Sequence, residues 1–175
     1  KGYLYSDFRL FYLTDTASKE FEYHYHDFDK ITIFLKGNVQ YTIEGKSHQL
    51  QPYDIVLVSH NDIHKLNVQD SEPYERIVVY ISPEFINTYR TADYDLSECF
   101  QKAKKEHTNV LRTHSHAKNT LVRAVDNLKH SFSDVGYANT LYQKILFLEF
   151  MIHLNRATLN EQLEFIDTDH CNTKV

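Results

Sequence analysis

Short apolar segments separated by turn residues fill the first half of the chain. Segments rich in β-branched and aromatic residues predict strands at residues 8–13, 31–35, 39–43, 55–58, 63–68 and 76–81. Gly37 and Gly45 lie in the tight turns that bracket the third segment. Short strands repeated at intervals of roughly 8–12 residues favour a barrel or a sandwich.

The second half of the chain has helical spacing instead. Ser82 and Pro83 form a helix start, with the serine as the cap and the proline in the first turn. Leu121, Val125 and Leu128 are four and three residues apart, which indicates a further helix. The change of period predicts a β domain followed by helices.

The last helix, predicted over about 137–159, is apolar on more than one side. A helix that packs only on its own domain needs a single apolar stripe. Leu141, Ile145, Leu148 and Ile152 also follow the four–three–four spacing of a helix–helix seam. Two interpretations stay open: these four residues form a dimer interface, or the helix is sandwiched within one chain.

The change of pattern divides the chain into three regions. Residues 1–82 are predicted to be the β domain, residues 83–160 a helical region packed on it, and residues 161–175 a polar tail or linker. Within the helical region, residues 93–113 are expected to be short helical pieces and loop.

The charge balance of the chain is acidic. There are 19 Lys and Arg against 24 Asp and Glu, which gives a formal net charge of −5. A DNA-binding domain usually carries a basic stripe, and none is visible in this sequence. Hydrophobic residues make up 42% of the chain and charged residues 25%, as in globular domains. We therefore expect a globular domain that does not bind nucleic acid by itself.

The cysteines and the chain ends bear on the cellular context. Cys99 and Cys171 are far apart and form no CxxC pair, which favours free thiols in a reducing compartment and hence a cytoplasmic protein. No signal peptide and no apolar run of bilayer length is visible. The start at Lys1 and the end at Val175 are interpreted as fragment boundaries, so a further domain is expected.

Three histidines have the spacing of a convergent site. His24 and His26 are alternate residues, so on a strand both imidazoles point to the same face. His64 lies on a later predicted strand. Three imidazoles that meet inside a small barrel suit zinc, nickel, iron or copper. Alternatively, the rings line a pocket or pack on aromatic neighbours.

These residues resemble the two sequence motifs of the cupin superfamily. The first motif has a His-x-His, a Glu and a Gly, and it is matched by His24, His26 and Gly37. The second motif has a Pro-Gly-Asp-like turn and a later His, and it is matched by Pro52, Asp54 and His64, with Tyr53 at the usual Gly. The resemblance implies a mainly β fold with α-helices: a cupin-like β-barrel of the jelly-roll type, followed by C-terminal helices that form a dimerisation seam.

Lys30 stands where metal-binding cupins place the Glu ligand. Two unit charges ~4 Å apart interact by ~4 kcal/mol at an effective dielectric constant of about 20, and a divalent ion facing Lys30 would experience roughly twice that repulsion. We therefore expect an organic ligand, or none, before a metal, and no cofactor. A metal site formed by His24, His26 and His64 remains the alternative.

Longer segments resemble the N-terminal domains of AraC-type transcription regulators. Residues 24–37 look like their opening barrel motif, residues 41–45 like the next hairpin, and residues 74–85 like the last barrel strand passing into the first helix. With the later helices, the resemblance covers about residues 8–160. It implies an effector-binding barrel, a terminal helix that pairs two subunits, and a separate DNA-binding domain with two helix-turn-helix motifs outside this chain.

The strand phase predicts which side chains line the barrel. Lys30 is in phase with Thr32 and Phe34, whereas the opposite face is expected to lie under the helices. The phase of strand 76–81 stays open. The candidate ligand-binding residues are His24, His26, Lys30, Tyr41, His64, Arg76 and Tyr80.

A pocket with imidazole, ammonium, phenol and guanidinium groups suits a sugar, a sugar acid or a sugar phosphate. The alternative is that Lys30 forms a surface pair with Asp29 or Glu22 at the rim and binds nothing.

Two functions remain open. The preferred one is the effector-sensing and dimerisation domain of an AraC-family regulator: a homodimer without enzymatic activity, bound to no membrane, that contacts DNA only through the missing domain. An effector that prefers one dimer arrangement would change how the DNA-binding halves are presented. The alternative is a metal-dependent cupin enzyme, such as a dioxygenase or a sugar isomerase, that uses His24, His26 and His64.

Overall fold

The structure is a computed structural model that describes residues 4–15, 27–68, 72–160 and 163–166. In these ranges the elements are β1 (Phe8–Asp15), β2 (Asp29–Lys36), β3 (Val39–Ile43), β4 (Lys46–Gln49), β5 (Ile55–Val58), β6 (His64–Val68), β7 (Tyr74–Ile81), α1 (Pro83–Thr88), α2 (Glu98–Lys105), β8 (Val110–Thr113), α3 (Ser115–Ser131), α4 (Asn139–Leu159) and β9 (Leu163–Phe165).

The strands form two antiparallel sheets. The larger sheet has the order β1-β7-β2-β5-β8-β9, and the smaller one has the order β4-β3-β6. The turn between β2 and β3 requires Gly37, which has a φ of +132°, because a Cβ there would lie 3.2 Å from the carbonyl oxygen of Pro73.

The alternation of side chains along the larger sheet separates two cores. In β2, Ile31 and Ile33 face the core that the sheet shares with the helices. Phe34 belongs instead to the core between the two sheets, which also contains Tyr41 of β3 and Val56 of β5. Because neighbouring residues of a strand point to opposite faces, this register settles which side chains enter the space between the sheets. We call this space the barrel interior.

The helices begin and pack as the sequence pattern predicts. The Ser82 side chain accepts a hydrogen bond from the backbone N–H of Phe85 at 3.3 Å, which caps α1. In α3, Leu121, Val125 and Leu128 are all buried, and α4 packs against this helix. No helix in the described ranges has both the length and the apolarity that a membrane span requires.

The predicted fold class, mainly β with C-terminal helices, is confirmed, but three strands were missed. β4 reads KSHQ and has no apolar run, because it is an edge strand in which only His48 is buried. β8 lies in residues 93–113, where loop and short helices were expected, and β9 lies in the expected tail. The division at residues 82 and 160 stays a prediction, although both later regions add a strand to the larger sheet.

Candidate ligand-binding site

Two cations of the larger sheet face the barrel interior. Lys30 of β2 pairs in register with Tyr80 of β7, and Arg76 lies two alternations further along β7 on the same face. Burial, together with the charge of Arg76, lowers the pKa of Lys30 to about 8. The two cations are therefore close enough to interact.

Arg76 has a partner, whereas Lys30 has none among the described residues. An Arg76 guanidinium nitrogen lies 2.6 Å from a carboxylate oxygen of Asp15, and the guanidinium carbon lies 4.2 Å from the centre of the Tyr74 ring. The carboxylate of Asp29, a possible partner of Lys30, instead accepts bonds from the backbone N–H and Nδ1 of His60 at 2.8 and 2.9 Å. Within the described chain, the ammonium of Lys30 is thus left without an anion; Glu22 lies outside the described residues.

Two hydroxyl groups in the barrel interior are buried without a hydrogen-bond partner in the described chain. They belong to Thr32 of β2 and Tyr41 of β3, and each of these residues is 1% exposed. A buried hydroxyl without a partner costs about 1–3 kcal/mol, so such groups mark places where a ligand or water completes the bonding.

Three tyrosines surround this space as neutral phenols. Burial and the neighbouring Tyr74 and Tyr80 raise the pKa of Tyr41 far above its ordinary value, against the opposing effect of Arg76. Burial raises the pKa of Tyr74 to about 12 and also raises the pKa of Tyr80. A protonated phenol can donate a hydrogen bond as well as accept one, so these tyrosines supply donors without adding negative charge to the interior.

The structure brings together most of the described members of the predicted site. The side chains that face the barrel interior include those of Lys30, Tyr41, Arg76 and Tyr80. The register of β7 against β2 also settles which residues of strand 76–81 face inward. Sequence reasoning did not select Tyr74 as a site residue, because the apolar pattern began the strand at residue 76 and only the family resemblance extended it to residue 74. It also missed Asp15, two residues beyond the predicted end of the first strand.

Only one of the three predicted histidines lies in the described residues. His64 is fully buried on β6, and its ring stacks on Tyr41 with a centroid distance of 6.1 Å. His24 and His26 lie outside the described residues. In the described chain, no three His, Cys, Asp or Glu side chains lie close enough to hold a metal ion, and Lys30 occupies the position of an acidic ligand. The described residues therefore do not form a metal site, and the three-histidine alternative stays untested.

The second matched motif has a structural role. Tyr53 adopts a φ of +68° where cupins usually have Gly, so the turn keeps a left-handed residue despite its side chain. The next residue, Asp54, is fully buried, and its two carboxylate oxygens each lie 3.1 Å from a nitrogen of Arg112. This ion pair connects β8 to the residue before β5.

Three of the four predicted seam residues lie on the outer side of α4, and the fourth lies between that side and the core. Leu141, Ile145 and Ile152 are exposed, whereas Leu148 is half-buried and packs on the helical core. The opposite side of α4 buries Phe147, along with six further apolar or small residues. One helix thus has two apolar sides, of which the described residues cover only one.

Two antiparallel sheets backed by helices, with polar side chains between the sheets, are the arrangement that the sequence resemblance to cupins implies. The model of the AraC-like ligand binding domain matches residues 10–145, which is more than half of the chain. The chain therefore belongs to the family of AraC-like ligand binding domains. No curated protein matches it.

Several solved structures resemble the chain at low identity. They include a conserved protein of unknown function from Streptococcus pyogenes, with 16% identity, a TM-score of 0.41 and coverage of 46% of this chain and 68% of that one. A cupin-2 domain containing protein from Shewanella frigidimarina has 20% identity, a TM-score of 0.36 and coverage of 42% and 69%. A DMSP lyase from Ruegeria pomeroyi has 22% identity, a TM-score of 0.41 and coverage of 50% and 42%. Matches this distant carry no argument about what the chain binds.

The low pKa of Lys30 predicts a stability that depends on pH. Between a folded pKa of about 8 and the ordinary value of 10.5, the unfolded chain holds a proton that the folded chain has lost, so the free energy of unfolding rises with pH. Lys30→Met removes this contribution. The stability of the wild type relative to Lys30→Met should rise by about 2 kcal/mol from pH 7 to pH 10 in urea unfolding.

The comparison with Lys30→Met is needed because other buried groups act in the opposite direction. Burial raises the pKa of the Cys99 thiol, so its unfolded form ionises first and stability falls above the ordinary value of 9.0. Tyr41 adds a similar loss above pH 10. Cys99 and Tyr41 are present in the wild type and in Lys30→Met, so their contributions cancel in the difference between the two free energies of unfolding. A difference that does not change with pH would show that Lys30 keeps its ordinary pKa.

Proposed function

We propose that this chain is the effector-sensing and dimerisation domain of a cytoplasmic AraC-family transcription regulator and has no catalytic role. A small polar ligand, a carbohydrate or an anion, binds in the barrel interior. The observation that carries the sensing role is the pair of buried hydroxyls, of Thr32 and Tyr41, that lack a partner among the described residues. DNA is contacted through a separate helix-turn-helix domain, which fits the net charge of −5.

The dimerisation role is supported by the uncovered side of α4. Leu141, Ile145 and Ile152 are 59%, 53% and 40% exposed, and they follow the spacing of a helix–helix seam. Exposed apolar side chains that form one continuous stripe mark interaction sites more often than scattered ones do.

A groove of about 520 Å³ continues this stripe. It is lined by Ile152, Leu148 and Leu159 of α4 and by Tyr94 and Leu96 of the segment before α2. An apolar stripe beside an apolar groove offers a self-complementary surface, as a two-fold symmetric interface requires. We therefore place the homodimer contact on α4 and this groove.

The test of the dimer role is Ile145→Glu. A charge buried at a two-fold interface is introduced twice, once from each subunit, so the dimer dissociation constant should rise at least about 100-fold. Size-exclusion chromatography with light scattering over a concentration series measures this change. Ile145 is a cleaner position than Leu148, because Leu148 also packs on the helical core and its replacement by Glu threatens the fold.

Ile63→Glu is the matched control for this experiment. Ile63 is 51% exposed against 53% for Ile145, but it lies next to β6, on the barrel rather than on α4. The control should dimerise like the wild type. A wild-type monomer at high concentration, or an Ile145→Glu variant that dimerises as tightly as the control, would refute the proposed interface.

A further inference from the structure

The barrel interior has more positive than negative charge among the described residues. Lys30 and Arg76 face it from the larger sheet, and Asp15 of β1 neutralises Arg76 alone. The smaller sheet contributes Tyr41, His48 and His64, none of which supplies an anion. Lys30 is thus left as a half-buried cation without a paired carboxylate among the described residues.

The other polar groups of the interior include hydroxyls and phenols, which can donate hydrogen bonds and carry no negative charge. The hydroxyls of Thr32 and Tyr41 lack partners in the described chain, and Tyr74 and Tyr80 line the same space. A neutral sugar can bond to hydroxyl and phenol groups, but it has no charge to compensate that of Lys30. An oxyanion has acceptors only, and ammonium, guanidinium and phenol groups are the donors that bind it.

We propose that the effector of this domain is a small oxyanion, a carboxylate or a phosphate monoester with a hydroxylated body, whose charge lies against Lys30 beside Arg76 and whose body bonds to Tyr41 and Thr32. The inference rests on the proposed sensing function and specifies its ligand class. Binding of the anion neutralises Lys30 and completes the bonding of the two hydroxyls in one event.

This arrangement also explains why an unneutralised lysine is kept in a β-strand interior. Without ligand it costs stability, since a buried cation lacks its hydration shell. With ligand, the same group forms a charge-assisted bond in a low-dielectric space, where such bonds are strongest. The stability that the free domain loses through the unpaired Lys30 is therefore regained when the anion binds, and this gain is the response to ligand.

Three ligands that share the glucose ring test the ligand class: glucose, glucuronate and glucose 6-phosphate. Inorganic phosphate serves as the anion without a sugar. All four are compared at the same ionic strength. We expect the oxyanions to raise the melting midpoint by about 3–5 °C at ten times their dissociation constants, and glucose to have no effect. The response of glucuronate against that of glucose 6-phosphate and phosphate distinguishes a carboxylate from a phosphate ligand.

Variants of Lys30 test whether the oxyanions bind in the barrel interior. Lys30→Met should weaken oxyanion binding at least tenfold, and without ligand it should melt at a higher temperature than the wild type. Lys30→Gln serves as a second variant that keeps a polar side chain, and Lys36→Met, at the exposed end of the same strand, should bind like the wild type.

Each other outcome overturns the inference. If glucose raised the melting midpoint as much as the oxyanions do, the site would bind sugar hydroxyls rather than an anion. The proposed sensing function would then stand, with a different ligand class. Oxyanion binding that survives in Lys30→Met and Lys30→Gln would place the anion elsewhere, and a destabilised Lys30→Met would mean that the ammonium already has a partner. Absence of any oxyanion response also refutes the anion site, while the dimer measurements above test the regulatory role separately.

Discussion

Arg112→Met is expected to lower the free energy of unfolding by about 3–5 kcal/mol, as loss of one partner of a buried ion pair does. The substitution leaves the carboxylate of Asp54 in the protein interior with a single bond, from the backbone N–H of Gln51 at 2.8 Å. The aliphatic part of Arg112 is replaced by a side chain of similar length, so the loss reports mainly on the charge. Urea unfolding at pH 7 measures it.

Two further variants separate this effect from a general loss of charge. Arg90→Met removes a guanidinium that is 64% exposed and lies 3.7 Å from Asp95, and it should cost less than about 1 kcal/mol. The double variant Asp54→Asn with Arg112→Met should recover part of the loss, because the amide needs no counter-charge. A loss for Arg112→Met no larger than that for Arg90→Met would show that the pair adds nothing.

Phe147→Ala should lower the free energy of unfolding by about 3–5 kcal/mol through the cavity it leaves. Phe147 is completely buried, stacks on Phe8 of β1 at 4.3 Å between ring centroids, and contacts Phe85 of α1 at 5.8 Å. These rings connect the inner side of α4 to the barrel. The variant therefore tests the attachment of the proposed dimerisation helix to the proposed ligand-binding barrel.

Phe132→Ala is the control for this second variant. Phe132 also contacts Phe8, at 6.2 Å, but is 43% exposed, so its truncation leaves a site open to water. We expect a loss below about 1.5 kcal/mol in thermal or urea unfolding. Equal losses for the two variants would mean that the aromatic cluster does not depend on burial at position 147.

The strand faces of several candidate site residues were predictable because these residues lie on regular strands. Lys30 and Tyr41 fall on interior faces that simple alternation assigns correctly. The phase of Arg76 and Tyr80 could not be fixed, since apolar residues occupy both faces of a strand that is covered on both sides. The register of β7 against β2 decides it.

The ion pairs lay beyond sequence reasoning. Arg112 lies 58 positions after Asp54, and Asp15 lies 61 positions before Arg76. No local period links residues this far apart, and their contact depends on strand order in the larger sheet. The same holds for β8 and β9, since three or four residues of strand have too few positions for a pattern and are stabilised by their neighbours.

The sequence by itself determined the change from strands to helices, the two apolar sides of α4 and the replacement of an acidic ligand by Lys30. These are local properties, set by the period of apolar residues and by residue type. Only the tertiary structure decided that Lys30 has no anion among the described residues, that two hydroxyls of the barrel interior are buried without partners there, and which side of α4 is left uncovered. Those facts depend on which distant segments meet, because burial and pairing are properties of the packed chain.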